Sequence, residues 1–390
     1  MDRNLGIILN GATGAICSFQ HLENSLGPIR AEGGLKIGDE TIMPTLMLVG
    51  RDEERLATIA RANDVKAWTT DLDAALSDPD YPIFFDAAAT HMRAGILHRA
   101  LDAGKHIYAE KPVATSIDDG LALLRKAESL GLKHGVVEDK LHLPGLLKLR
   151  DLLDKDFFGR IVGFKLEFGW WIFDGIEKPA QRSSWNYKRA TGGGLISDMY
   201  PHWRYIIEGL LGPIDRVVAT TSTQQPERAE NSGETFQVDV EDNAATLVQM
   251  KSGIVGSILS SWATRVRRDD LLTVQIDGTK GSAVAGLRRC YCQSAEETPS
   301  IRGFRLGKDA DAINDARDYY ADWRDVAEVT AYKNPYRHGW ENFIAHVIAD
   351  APFASNLAAG IRDVELSQAC LESAASGKWI DMSTTQENSG

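Results

Sequence analysis

The sequence predicts an α/β protein in two parts: an amino-terminal parallel sheet wound with helices, then an α/β unit on a large, mostly antiparallel sheet. Three observations carry that expectation. The first third alternates short apolar runs with amphipathic stretches, the pattern of βαβ units. Beyond Gly159 the strand-like runs lengthen and alternate, and Lys251-Ser252-Gly253 sits between two of them as a hairpin turn. The 390 residues hold roughly two or three domains of ordinary size, enough to bury a real core.

Leu5-Gly6-Ile7-Ile8-Leu9 reads as a buried strand, Thr45 to Val49 as a second and Ile83 to Ala87 as a later one. Helical spacing from His91 to Ala103 puts Ile96, Leu97, Ala100 and Leu101 on one face, and Gly104 stops it. His106 to Ala109 is another short strand. Ser116 with Asp119 forms the cap of a helix bearing Leu121, Leu124 and Leu130, closed by Gly131. A strand near Gly135-Val136-Val137 ends this half, which places a boundary at residue 136. Pro144 then suits the first turn of a helix bearing Leu146, Leu149 and Leu152. Strands are expected over Ile161 to Phe173, Arg216 to Thr223, Ala244 to Met250, Ile254 to Ala263 and Leu271 to Ile276. Segment 294–335 is polar and weakly periodic, an excursion from the second half, and the tail after Met382 is expected to fray.

Forty-three basic against 55 acidic residues leave a net charge of −12, which disfavours nucleic acid and anionic membrane surfaces as partners. Cysteines at 17, 290, 292 and 370 are too few for a disulfide framework. Cys290-Tyr291-Cys292 lacks the spacer of a zinc knuckle, so reduced thiols and no metal are expected. No apolar run approaches the ~18 residues of a membrane span, and Met1-Asp2-Arg3-Asn4 opens no signal-peptide core. The expected location is cytoplasmic.

Asn10-Gly11-Ala12-Thr13-Gly14-Ala15-Ile16 follows the first strand and leads towards a helix, the context of a dinucleotide fingerprint. Small residues there admit a pyrophosphate to a helix N-terminus; Thr13 stands at the middle glycine of G-x-G-x-x-G, and a tight turn without ligand is the alternative. The second strand ends in Val49-Gly50-Arg51-Asp52. An arginine at that place, without a carboxylate for the ribose, favours NADP over NAD unless Arg51 merely pairs with Asp52 or Glu54. Pro112 confines Ala109-Glu110-Lys111-Pro112 to a strand end, where open α/β sheets bind ligands, although Lys111 also reads as a solvated surface lysine.

Gly192-Gly193-Gly194 precedes Leu195 to Arg204. On a helix, Asp198 and His202 are spaced i, i+4, so the carboxylate can orient the imidazole, in a catalytic or a purely structural pair. Pro201 calls for a kink or a late helix start. Trp170, Trp171, Phe173, Trp185, Tyr187 and Trp203 concentrate here. Such rings stack on the C–H faces of sugars or build a core, and Trp185 with Tyr187 is favoured for substrate contact because it lies in a polar loop.

These features in order, with Ala103-Gly104-Lys105-His106, Gly278-Thr279-Lys280-Gly281-Ser282 and Ser376-Gly377-Lys378-Trp379-Ile380, resemble the Gfo/Idh/MocA family, the glucose-fructose oxidoreductase and inositol dehydrogenase group. Segments 24–44 and 294–335 are the least explained by it. The resemblance implies a Rossmann dinucleotide-binding domain over 1–136. It implies a substrate-binding and oligomerisation domain over 137–390 whose open sheet supports a homodimer or homotetramer. Lys111, Asp198 and His202 match the family's catalytic lysine and D-x-x-x-H pair; Gly11, Thr13, Gly14, Ala15, Ile16, Arg51, Ala89, Thr90, His91, Glu110 and Lys111 fall at cofactor positions. Lys140 falls near a substrate-facing position, joining Lys111, Trp185, Tyr187, Asp198 and His202.

The implied activity is hydride transfer between a secondary hydroxyl of a sugar, sugar derivative or cyclitol and NAD or NADP. His202 is then the base oriented by Asp198, and Lys111 steadies the alkoxide, with the reverse assignment of Lys111 and His202 open. An NAD-dependent glycosidase with internal redox cycling and a non-catalytic sugar or nucleotide sensor are the alternatives on the same scaffold.

Overall fold

The computed structural model describes residues 2–171, 184–230, 232–299 and 319–382. The first sheet contains β1 (Asp2–Asn10), β2 (Leu35–Ile37), β3 (Glu40–Val49), β4 (Ala67–Thr69), β5 (Ile83–Asp86), β6 (His106–Ala109) and β7 (His134–Val136). Their order is β2-β3-β1-β5-β6-β7 with β4 also on β3, parallel throughout except for the β2-β3 hairpin. Strand order reverses at β1, so a crevice opens beyond the carboxyl ends of β1 and β5.

Both faces of this sheet are packed. Leu5, Ile7 and Leu9 face one core with Phe85 and Tyr108, while Ile8 faces the other with Phe84 and Ile107. A wide, π-type helix over Ile16–Leu26 continues into α1 (Gly27–Ala31); α2 (Glu53–Ala62), α3 (Leu72–Ser77), α4 (Thr90–Asp102) and α5 (Ile117–Ser129) follow. Asp52, Asp71 and Ser116 cap the last-named helices α2, α3 and α5 by accepting from first-turn amides. Residues 24–44 do not cross the crevice: β2 pairs with the amino end of β3, at the far end of the sheet.

The second sheet runs β17-β16-β15-β14-β8-β13-β12-β9-β18. Its strands are β8 (Ile161–Gly169), β9 (Ile214–Ser222), β12 (Asn243–Met250), β13 (Val255–Ser261), β14 (Leu272–Gly278), β15 (Gly281–Ala285), β16 (Cys290–Ser294), β17 (Arg324–Asp325) and β18 (Ile380–Asp381). A small hairpin, β10 (Glu227–Ala229) and β11 (Thr235–Gln237), stands apart. The ladders are antiparallel except β8 with β13. Residues Phe164, Leu166, Phe168, Val248 and Ile258 pack inward under α6 (Pro144–Asp154) and α7 (Leu195–Leu211).

Two late helices tie the halves together. Trp340, Phe343 and Ile344 of α8 (Pro335–Ala349) complete the first sheet's core beside Phe85 and Tyr108. Along α9 (Leu357–Ser376), Leu357 and Ile361 enter the first sheet's other core, and Leu366, Ala369 and Cys370 enter the second. Gly120 makes this crossing possible: a Cβ there would lie 2.7 Å from the Ile361 side chain.

Candidate active site

The fingerprint turn sits at the crevice. Gly11 has φ +79°, and a Cβ on it would lie 2.8 Å from the Ala87 backbone, so only glycine lets the turn pack against the loop after β5. The amides of Gly11 and Ala12 both donate to Val49 O at 3.0 Å, while Thr13, Gly14, Ala15 and Ile16 lead on into the helix, the last three exposed. Arg51 is exposed at the end of β3 and forms no ion pair among the described residues; its neighbour Asp52 is occupied as the α2 cap. Ala89 and His91 are exposed across the crevice, with Thr90 between them opening α4. A small-residue turn at a helix N-terminus, a nearby uncommitted guanidinium and an open opposing loop fit a dinucleotide.

A buried cluster that sequence reasoning missed holds these loops. Asp86, fully buried, accepts from Asn10 Nδ2 at 2.7 Å and from Arg93 Nε at 2.9 Å. The two remaining Arg93 nitrogens donate to Pro112 O at 2.5 Å and Ala88 O at 2.7 Å. One guanidinium thus joins the fingerprint strand, the β5 loop and the loop carrying Lys111. The available signal was a carboxylate ending the apolar run Ile83-Phe84-Phe85, since a buried charge demands a partner.

Glu110, expected at the cofactor, is tied within the protein. Its Oε1 accepts from His21 Nε2 at 2.8 Å and its Oε2 from the Lys111 amide at 3.2 Å. Trp340 Nε1 donates to His21 Nδ1 at 3.0 Å, which leaves the imidazole proton on Nε2 for Glu110. The late helix α8 therefore braces the strand end that presents Lys111.

Lys111 Nζ reaches across to α7, donating to Asp198 O at 2.7 Å and Asp198 Oδ1 at 2.8 Å. The glycine triplet explains where α7 begins. A Cβ on Gly194, at φ +121°, would lie 2.7 Å from the Glu241 carboxylate, which instead accepts from the Ile196 amide at 2.9 Å and caps the helix. Pro201 does not set the start of α7: the helix begins six residues earlier, at Leu195, and continues through the proline to Leu211.

The expectation that Asp198 orients His202 is corrected. Asp198 holds Lys111, whereas His202 Nδ1 lies 2.6 Å from the Tyr205 hydroxyl and Nε2 lies 3.3 Å from Lys140 Nζ. Tyr205 donates to Asp139 Oδ1 at 3.0 Å, and Lys140 Nζ is 3.3 Å from Asp139 Oδ2. The i, i+4 spacing was present, but a lysine from the other half of the chain took the carboxylate. Burial pulls the Lys140 amine below its usual range, with Asp139 opposing and Lys111 adding to the fall.

Tyr187 is a second correction. It is fully buried against Trp262, with the Arg228 guanidinium 4.4 Å from its ring centroid, so it lines a core and not a substrate pocket. Trp203 is likewise core and donates to Ser260 Oγ at 3.2 Å. Trp171 and Trp185 are exposed, and Phe173 lies outside the described residues. Among the described residues no group of His, Cys, Asp or Glu is arranged to hold a metal ion, and no helix is long and apolar enough to cross a membrane.

Fold and crevice together define an oxidoreductase with an NAD-binding Rossmann fold. Residues 38–137 match the oxidoreductase family with that fold, and residues 146–284 match the GFO/IDH/MocA C-terminal domain. The chain is 39% identical over 381 residues to a D-xylose dehydrogenase of Paenarthrobacter nicotinovorans, covering 96% of this chain and 97% of that protein. It is 26% identical over 348 residues to a levoglucosan dehydrogenase of Pseudarthrobacter phenanthrenivorans, covering 84% and 87%. The fold also resembles the solved structure of a levoglucosan dehydrogenase in complex with NADH and levoglucosan. The TM-score is 0.79 at 23% identity, over 98% of this chain and 100% of that one. The protein belongs to the Gfo/Idh/MocA oxidoreductase family.

Proposed function

We propose that the protein oxidises, reversibly, a secondary hydroxyl of a neutral sugar, sugar derivative or cyclitol with NADP in preference to NAD. The observation that carries this is the meeting of Lys111 with Asp198, 2.8 Å apart, beside His202 and Lys140. Two ammonium groups are each matched by a carboxylate, Asp198 and Asp139, which favours an uncharged polyol over a sugar acid. The exposed rings of Trp171 and Trp185 offer apolar faces for a sugar. Relatives named D-xylose and levoglucosan dehydrogenase support the same substrate class. Arg51, without an ion pair among the described residues, supports NADP.

His202 Nε2 takes the hydroxyl proton, and the Lys111 ammonium stabilises the alkoxide as it forms. A nicotinamide cofactor, when bound, would supply the hydride acceptor. Gly11, Thr13, Gly14, Ala15 and Ile16 would hold its pyrophosphate side, Arg51 the adenosine ribose, and Ala89 to His91 the nicotinamide side. The outward face of the second sheet, with Leu247, Val255 and Leu259 in one patch, we assign to a second copy of the chain in a homodimer or homotetramer in the cytoplasm.

The test is a panel of monosaccharides, glycosides and inositols run with NAD and with NADP, read by the ultraviolet absorbance of reduced nicotinamide. Substrate-dependent absorbance, larger with NADP, is expected. A flat trace with release of an aglycone would replace the reading with a redox-cycling glycosidase.

A further inference from the structure

Both ring nitrogens of His202 can be assigned by counting protons. The Asp139 carboxylate only accepts, and its Oδ1 lies 3.0 Å from the Tyr205 hydroxyl, so the single proton of that hydroxyl is spent on Asp139. The hydroxyl oxygen itself accepts from the Lys140 backbone amide at 3.3 Å. His202 Nδ1, 2.6 Å from the same oxygen, must then be the donor, because no proton remains on the other side of that contact. Nε2 keeps its lone pair, directed at Lys140 Nζ 3.3 Å away.

We propose that Tyr205 and Asp139 are positioning residues: they fix His202 in the tautomer whose basic atom is Nε2, and they hold the imidazolium formed when Nε2 takes the substrate proton. The proposal builds on the reading of His202 as the base. The proton balance is simple. Nε2 gains the substrate's hydroxyl proton, Nδ1 keeps its own, and the new positive charge is shared through the Tyr205 hydroxyl with the Asp139 carboxylate, 3.8 Å from Nδ1. No proton leaves Tyr205, whose phenol burial pushes well above its usual range.

The imidazole contacts Tyr205 of α7 and Lys140 of the short helical turn Asp139–His142, with Asp139 of the same turn 3.8 Å from Nδ1. Around those partners stand Glu110 and Lys111 of the loop after β6, which act on Lys140, and Tyr336 of α8, which acts on Tyr205, while Asp198 of α7 binds Lys111. Lys140 opposes the imidazolium and Asp139 favours it, so the two should move the His202 titration in opposite directions. That opposition separates a charge role from mere packing.

Two measurements test this. Nitrogen NMR of the protein with isotopically labelled histidine, without substrate, should show His202 as the Nδ1–H tautomer, its signal identified by loss in His202→Gln. In Tyr205→Phe the signal should revert to the Nε2–H form. A wild-type proton on Nε2 overturns the proposal whatever the activity. The second measurement is the acidic limb of kcat/KM for alcohol oxidation. It should fall by roughly one pH unit in Tyr205→Phe and in Asp139→Asn, and rise in Lys140→Met. Tyr200→Phe, which removes another buried hydroxyl of α7 bonded to Thr246 at 2.8 Å, should leave the limb in place. A limb that survives in His202→Gln removes the base reading and the charge-holding role with it. A limb that belongs to His202 but stays fixed in Tyr205→Phe and Asp139→Asn overturns the relay alone.

Discussion

The first sheet is packed on both faces, and its strand ends at the crevice are tied by the buried Asn10–Asp86–Arg93 cluster. The second sheet packs one face only. On the other, Leu247 and Leu259 are each 50% exposed and Val255 is 53% exposed, with Ala245 opposite Leu259 and Val218 opposite Leu247. The polar, ion-tied region presents the candidate reacting groups; the outward face carries its exposed apolar side chains beside Lys165 and Glu167 of β8, the latter paired with Arg268. Chemistry is concentrated where buried charges fix the loops, and the second sheet's outward surface is left to association. At the seam between the halves lies a further cluster, in which Arg204 binds Glu138 and, at 2.6 Å, Asp363.

The largest effect comes from breaking the seam's reactive side. Lys111→Ala or His202→Ala should slow turnover roughly 10²–10⁴-fold in steady-state kinetics while the far-ultraviolet spectrum is unchanged; unchanged turnover would remove both residues from the mechanism. Next comes the first sheet's anchor. Asp86→Ala strands the Arg93 charge in the interior and should cost about 3–5 kcal/mol in denaturant unfolding, with weaker nucleotide binding as the three loops loosen.

On the second sheet, the contrast predicts the opposite profile. Leu247→Asp with Leu259→Asp should change the folding free energy of the subunit by only about 0.5 kcal/mol and yet give monomers in sedimentation. Wild-type assemblies that survive this change would show that the bare face is not the contact.

The smallest effect is a slope. Burial raises Asp363 to about 8, against the pull of Arg204 and with Glu138 and Glu208 adding to the rise. The folded state therefore holds a proton that the unfolded chain releases. That contribution is fully present below the ordinary carboxylate range and is lost as pH rises towards about 8. Asp363→Asn keeps the Arg204 contact but cannot titrate, so its unfolding free energy should decline less than the wild type's between acid and mildly alkaline pH. Equal slopes would place the titration elsewhere.

Much of this was legible in the residues. The apolar runs gave β1, β5 and β6, the pairing of Ser116 with Asp119 gave the α5 cap, and Lys251-Ser252-Gly253 gave the β12-β13 turn. Strand periodicity was reliable because each segment's pattern reports its own burial. The parallel β8-β13 pairing was not legible, since neither strand's pattern names its neighbour. Tyr187 was misplaced because an aromatic ring in a polar loop looks the same whether it meets solvent or, as here, the buried Arg228.

By itself the sequence determined which side chains were available for chemistry: a lysine at a strand end, an imidazole on a helix, a small-residue turn before another. Those follow from local spacing and backbone preference, which act over a few residues. Which carboxylate serves which cation was decided only by the tertiary structure. Asp198 is 87 positions from Lys111 and Tyr205 is 66 from Asp139, and pairing at such separations is set by how the two halves pack. Short-range rules carry no information about which buried charge will meet which.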